Sequence, residues 1–198
     1  MYTLLKPIQI REELLNRGIT IFTPQEFERI FKLPDYKAKY FLEEESKRGL
    51  FQRLKKGLYT LKTDLPSEEE IANRLYKPSY ISFEYALAYY NIIPEMTYQI
   101  TSATTKSTRL FTIEHSSFAY YTIKLEAYTG YTLVQRGEKR FYMADPEKAL
   151  VDYLYFVALG KKPVNERLNT SFLDKNKLLK YANVFNRDKL VKLVQKIA

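Results

Sequence analysis

The apolar positions in the first third of the chain change spacing in an order that predicts two helices followed by a hairpin. Phe27, Ile30 and Phe31 recur at the three- and four-residue spacing of one helix face. Within residues 36–48, a second set of apolar residues again falls on one side when 100° is taken per residue. Apolar residues then alternate on both sides of the basic, glycine-containing turn at residues 55–57, which indicates a β-hairpin.

Local signals place the ends of these two helices. Thr23 stands before Pro24 and three residues before Glu26, a combination typical of a capping box with proline at the first helical position. Pro34 disfavours helical geometry at the residue before it and ends this helix. We expect Asp35 to cap the helix that follows.

A further helix is predicted over residues 7–17, where Gly18 supplies a C-cap. Its apolar face is carried by Leu4, Ile8, Leu14 and Leu15. The order of helices and basic hairpin predicts a winged helix-turn-helix DNA-binding domain in residues 1–62.

The rest of the chain, residues 67–198, predicts a second and larger domain. Strand-like alternation is grouped between residues 97 and 143, with helical patterns on both sides. Grouped strands between helices predict an α+β domain with an antiparallel sheet flanked by helices. We expect Ser67, Ser82 and Asp145 to cap three of its helices, which are predicted to begin at residues 68, 83 and 146.

Charge favours a polyanionic partner. Lys and Arg number 32 against 23 acidic residues, a formal net charge of +9, which suits nucleic acid or an anionic membrane surface, although a merely basic surface stays an open alternative. The chain has no run of 18 apolar residues and no signal-peptide core at its start. It also has no cysteine. We therefore expect a cytoplasmic protein that does not span a membrane.

The residue inventory leaves little for catalysis, so we expect no enzyme activity, no cofactor and no metal site. His115 is the only histidine, and no glycine-rich phosphate loop occurs. We interpret His115 as a structural residue of a strand and turn. Asp145 and Asp152 form a conceivable metal pair, but a helix cap and a residue seven positions later have a simpler structural explanation.

The predicted second helix of the motif has the polarity of a recognition helix. Ala38 and Leu42 mark the apolar side, and tyrosines and lysines mark the other sides. Three glutamates at residues 43–45 count against phosphate contact, and nothing in the sequence accounts for Glu45. The cationic turn of the hairpin is a typical wing. The predicted DNA-binding residues are Thr23, Gln25, Tyr36, Lys37, Lys39, Tyr40, Lys47, Arg53, Lys55 and Lys56.

Two other functions stay open at this stage. The glutamates of residues 43–45 suit a protein-interaction module that uses the winged helix only as a scaffold. An enzyme acting on nucleotides is disfavoured, because a single histidine, no cysteine and no phosphate loop leave few catalytic candidates.

Several stretches resemble a known family. They read YISFEYALAYYNIIPE, TYQITSATTKSTRLF and YMADPEKALVDYLYF, and the hairpin reads GLFQRLKKGLYTL. From about Ile21 to Phe156 the chain resembles the AbiEi-type antitoxins of bacterial abortive-infection systems and related transcriptional regulators. The most specific parts are ISFEYALAYYNII and ADPEKALVDYL.

The resemblance implies a toxin–antitoxin function. It implies an N-terminal winged helix-turn-helix that binds inverted repeats in the protein's own promoter and represses its operon. It also implies a C-terminal domain that counteracts a nucleotidyltransferase-like toxin in a type IV arrangement, where no stable complex is required. Some relatives are orphan regulators without a toxin, so that alternative remains.

Overall fold

The computed structural model describes residues 6–197. The chain forms two compact units, Met1–Ser67 and Glu68–Ala198, called here the N-terminal and C-terminal units. Both helices and strands occur in each unit, so the chain has a mixed α+β fold. Leu4, predicted on the face of the first helix, lies outside the described residues.

Among its described residues, the N-terminal unit contains three helices and a three-stranded antiparallel sheet. Its elements are α1 (Pro7–Asn16), β1 (Ile21–Phe22), α2 (Pro24–Phe31), α3 (Asp35–Lys47), β2 (Phe51–Lys55) and β3 (Leu58–Leu61). The sheet order is β1-β3-β2, so β3 lies in the middle. The predicted helices and hairpin of residues 7–61 are confirmed within one or two residues.

An aromatic core holds these elements together. The ring of Phe22 lies 5.7 Å from that of Phe27 and 5.4 Å from that of Phe51, so β1, α2 and β2 meet at one point. Ala38 and Leu42 of α3 are fully buried in the same core. Each buried large apolar side chain contributes about 1.5–3 kcal/mol, so this face of α3 is fixed by the core.

The ends of α2 follow the sequence signals, whereas the start of α3 does not. Thr23 and Glu26 form the predicted capping box. Asp35, predicted as the cap of α3, is instead its first helical residue, and Pro34 occupies the cap position. The Asp35 carboxylate accepts a hydrogen bond from Lys39, one turn later, which is the stronger charged partner.

The C-terminal unit contains a six-stranded sheet and five α-helices among its described residues. They are α4 (Glu68–Leu75), β4 (Ser79–Ile81), α5 (Phe83–Tyr89), β5 (Gln99–Thr104), β6 (Arg109–Ile113), β7 (Ser116–Thr122), β8 (Tyr131–Arg136), β9 (Lys139–Ala144), α6 (Pro146–Ala158), α7 (Lys175–Val184) and α8 (Asp188–Ile197). A short 3-10 helix spans Leu125–Ala127. The sheet order is β6-β7-β5-β4-β9-β8.

The expectation of an antiparallel sheet was wrong, because this sheet is mixed. β5 pairs in parallel with β7, and β4 pairs in parallel with β9. After β5 the chain forms β6 at the edge of the sheet, and β7 then fills the position between β6 and β5. Strands grouped in sequence therefore need not be hairpin partners, and the alternating pattern alone cannot show this. The β8–β9 hairpin, with its turn at Gly137, is confirmed.

For two of the helix caps predicted in this unit, the position was right but the predicted side-chain hydrogen bond was wrong. Ser82 and Asp145 stand at the N-cap positions of α5 and α6, but neither side chain caps its helix. The Ser82 hydroxyl donates to Asp152, and the Asp145 carboxylate accepts from Tyr181. A side chain from a distant element replaces the local backbone partner in each case.

Candidate nucleic-acid interface

Helix α3 presents two tyrosines to solvent on the side away from the core. Tyr36 and Tyr40, one turn apart, are 67% and 68% exposed. Ala38 and Leu42, on the other side, are fully buried. Large exposed rings have no packing role in the unit itself, so this face is available to a partner.

Three predicted contact lysines of α3 already have neighbours within the helix. The Lys39 ammonium lies 2.6 Å from the Asp35 carboxylate, and the Lys47 ammonium lies 2.7 Å from that of Glu44. These hydrogen bonds raise the pKa of both lysines, so both stay protonated at neutral pH. The Lys37 ammonium lies 6.0 Å from the centre of the Tyr36 ring. A phosphate that binds Lys39 or Lys47 must therefore compete with the charge of a neighbouring carboxylate.

The three glutamates of α3 have different surroundings. Glu43 is exposed, and Glu44 pairs with Lys47. Glu45 is buried, and its carboxylate accepts a 2.9 Å hydrogen bond from Arg48. The placement of Glu45, for which the sequence offered no account, is thus a local ion pair at the end of the helix. Only Glu43 and Glu44 remain to repel a phosphate.

The hairpin after α3 has a cationic turn. Arg53 pairs with Tyr59 and Lys55 with Leu58, and the register shifts between these pairs, so a bulge precedes the turn. Gly57 has a φ of 74°, a left-handed conformation that favours glycine. Arg53 and Lys56 are exposed, and Lys55 is half-buried.

The start of α2 holds the last two predicted residues. The Thr23 hydroxyl accepts from the Glu26 backbone N–H at 3.2 Å and lies 3.0 Å from the Glu26 carboxylate. The capping box therefore occupies this hydroxyl. Gln25 is exposed, and its backbone carbonyl accepts from Arg29. Gln25 is the better placed of the two for an external contact.

All ten predicted residues thus lie in the N-terminal unit, on α2, α3 and the hairpin. Arg48, a cation at the C-terminal end of α3, was not among the residues predicted from the sequence. The Arg48 side chain is 70% exposed although it pairs with Glu45. Its position directly after a lysine at a helix end was the available signal.

A buried ionic network in the C-terminal unit was also missed. The ammonium of Lys148 contacts the carboxylate of Asp152, one turn later on α6, and both side chains are buried. Tyr80 and Ser82 donate to the same carboxylate at 2.9 and 2.8 Å. Burial raises the pKa of Asp152 and lowers that of Lys148. The i, i+4 spacing of Lys148 and Asp152 was the only sequence signal for this network.

The two aspartates considered from the sequence as a metal pair have other partners. Asp152 accepts from Tyr80, Ser82 and Lys148, and Asp145 accepts from Tyr181 and lies 3.2 Å from Lys177. Among residues 6–197, no group of three ligand-type side chains is placed to hold a metal ion. His115 is exposed in the turn between β6 and β7.

The chain matches no protein-family model and shows no significant similarity to a curated protein. The family resemblance therefore depends only on the stretches quoted above. In the part of the chain that the structure describes, no helix is long and apolar enough to cross a membrane.

Proposed function

We propose that the chain is a non-enzymatic, cytoplasmic transcriptional regulator whose N-terminal unit binds double-stranded DNA as a winged helix-turn-helix. In this proposal α2 and α3 are the helix-turn-helix, α3 is the recognition helix, and the β2–β3 turn is the wing. The observation that supports it most is the orientation of α3. The core buries Ala38 and Leu42 and leaves Tyr36 and Tyr40 exposed. A recognition helix needs an apolar side for docking and a polar side for base edges.

The wing supplies most of the phosphate contact in this proposal. On α3, Lys39 and Lys47 are each paired with a carboxylate, which weakens their attraction for DNA. Arg53, Lys55 and Lys56 cluster around one turn of the hairpin. Cations at a wing bind the DNA backbone and carry little sequence information, whereas Tyr36 and Tyr40 would contact bases.

Gel-shift titration against the DNA upstream of the protein's own gene tests the proposal. Affinity should fall steeply between low and physiological salt, since each phosphate contact contributes about 0.9 to the slope of log affinity against log salt. The double variant Lys55→Ala/Lys56→Ala should bind more weakly, with a slope shallower by about one to two units. The variant Lys189→Ala/Lys192→Ala, which removes the same charge from exposed positions of α8, is the matched control.

Two outcomes would overturn the proposal: an affinity that does not depend on salt, or equal losses in the two double variants. A footprint with no protected DNA, together with a defined protein that binds the Tyr36 and Tyr40 face, would favour the interaction-module alternative. The exposure of Glu43 beside these tyrosines is the observation that keeps this alternative in view.

We further propose that the regulator is the antitoxin of a type IV system that represses its own operon through inverted repeats. Its functional partner would be a nucleotidyltransferase-like toxin. This part is supported by the resemblance alone. Growth rescue during co-expression with the product of the neighbouring gene tests it. DNA binding without rescue would leave an orphan regulator.

A further inference from the structure

The β8–β9 hairpin carries an exposed ring, an aliphatic side chain, an amide and a guanidinium on one face. Leu133 pairs with Tyr142, and Gln135 pairs with Arg140. Directly paired residues project from the same face of a sheet, and positions two apart share that face. Leu133 is 52% and Tyr142 48% exposed, and Gln135 and Arg140 are exposed as well. We call these four residues the hairpin platform.

Side chains of α4 hold the backbone of the platform in place. The Asn73 amide bonds both backbone groups of Tyr142, accepting from its N–H and donating to its carbonyl at 3.2 Å. The Arg140 N–H donates to the Glu70 carboxylate, also at 3.2 Å. β9 pairs with β4 only at Met143, opposite Ile81. For Arg140 and Tyr142, which precede Met143, α4 therefore supplies the hydrogen-bond partners that a neighbouring strand would supply. The platform is therefore pre-organised.

A second ring fixes the orientation of Tyr142. The Tyr131 ring meets the Tyr142 ring nearly at right angles, with 5.9 Å between centres. Tyr131 in turn stacks on the buried Tyr80 ring at 4.6 Å, and Tyr80 donates to Asp152. A ring that is braced on one side and half exposed on the other offers a flat surface without losing much side-chain freedom on binding.

We propose that the hairpin platform binds single-stranded nucleic acid, with one base stacked on Tyr142 and a neighbouring phosphate on Arg140. The two side chains are two positions apart on one strand, about 7 Å, which one nucleotide can reach. Single-strand binding sites combine an aromatic ring, which accepts any base, with cations for the backbone. The site goes beyond the proposed function, since it lies in the other unit and takes a different ligand.

The Arg140 guanidinium favours this ligand over an apolar protein surface. Arg140 lies on the platform face, whereas Arg136 and Lys139 pair with each other one position away and project from the opposite face. An apolar partner would leave the Arg140 guanidinium desolvated, whereas a phosphate would pair with it.

Fluorescence anisotropy of labelled oligothymidylate and oligouridylate, twelve nucleotides each, tests the proposal with the full chain at low salt. Tyr142→Leu should weaken binding by about fivefold or more, the low end of the loss of one stacked base. Tyr142→Phe, which keeps the ring, should stay within about twofold. Arg140→Gln should make the salt dependence shallower by about 0.7 units. The two oligonucleotides show whether DNA or RNA is preferred.

Tyr98→Leu is the matched control, because Tyr98 is 92% exposed in the same unit. Equal affinities for Tyr142→Leu and Tyr98→Leu, or no binding of either oligonucleotide by the unmodified protein, would overturn the proposal. Should Tyr142→Leu fail to fold, the exposed substitution Arg140→Gln decides, and an unchanged salt dependence would count against the site.

The variant Lys55→Ala/Lys56→Ala separates this site from the proposed duplex interface. It should lose affinity for the upstream duplex and keep its affinity for the oligonucleotides. The absence of duplex binding would refute the proposed function without affecting the oligonucleotide result.

Discussion

Replacement of Asp152 by Asn tests how strongly the buried network stabilises the C-terminal unit. The substitution keeps an oxygen for Tyr80 and Ser82 but removes the negative charge beside Lys148. Loss of one partner of a buried ion pair typically costs about 3–5 kcal/mol. Lys148 avoids being an unpaired buried charge if it loses its proton. Deprotonation costs about 1.4 kcal/mol for each pH unit below the ordinary lysine pKa of about 10.4, or about 5 kcal/mol at pH 7. We therefore expect a loss of about 4 kcal/mol at pH 7.

The stability loss of Asp152→Asn should become smaller as pH rises, because the folded and unfolded states bind different numbers of protons. Burial lowers the pKa of Lys148 in the folded state, and the Asp152 charge opposes this shift. In the variant that charge is absent and the folded-state pKa falls further, so the unfolded chain binds more protons between the folded and unfolded pKa values. Stability then increases with pH over that range. At pH 9 deprotonation costs only about 2 kcal/mol, so the Asp152→Asn variant should recover a large part of its deficit.

Urea unfolding followed by tyrosine fluorescence measures both effects. The chain has 18 tyrosines, most of them in residues 68–198, and no tryptophan, so the signal reports mainly on the C-terminal unit. Lys148→Met/Asp152→Asn is the control, since it removes both charges and should be more stable than Asp152→Asn alone. A loss below about 1 kcal/mol at pH 7, or one that does not change by pH 9, would refute the reasoning.

Three further substitutions have expected outcomes in urea unfolding. Lys148→Met leaves the Asp152 carboxylate without its cation and raises the pKa of Asp152 further. The free energy of unfolding of this variant should therefore fall more steeply than that of the unmodified protein as pH rises from 5 to 7, and equal pH profiles would contradict this. Thr23→Ala should cost about 1 kcal/mol, and Thr23→Ser much less, because the cap bond is kept; similar losses would argue against the cap. Asn73→Leu should cost about 1–3 kcal/mol and speed amide exchange at Tyr142, whereas unchanged exchange would contradict the clamp.

Local signals predicted the helices and the hairpin of the N-terminal unit well because the residues that begin and end these elements act over short distances along the chain. The capping box at Thr23, the break at Pro34 and the turn at Gly57 each act within a few residues. The same signals could not distinguish Asp35 as a cap from Asp35 as a partner of Lys39, since both roles need one carboxylate at a helix start. Glu45 had no assigned partner at the sequence level, although Arg48 lies three residues later within the predicted helix, a spacing that allows the ion pair seen in the structure.

The C-terminal unit was predicted less completely because its sheet depends on distant pairings. β4 has only three residues and follows Pro78, which reads as a break. Both faces of β4 are buried, so its residues show no alternation of apolar and polar types. The roles of Ser82 and Asp145 depend on Asp152 and Tyr181, 70 and 36 residues away along the chain. No local pattern carries that information.

The single pairing between β4 and β9 has a consequence for association between molecules. Ahead of that pairing, the edge of β9 that faces β4 would otherwise expose backbone N–H groups, which are a template for a strand from another chain. Glu70 and Asn73 of α4 occupy the N–H groups of Arg140 and Tyr142 at this point. Helix α4 thus blocks the addition of a foreign strand at this edge of β9. Removal of either side chain should promote aggregation even where the fold of the chain is unchanged.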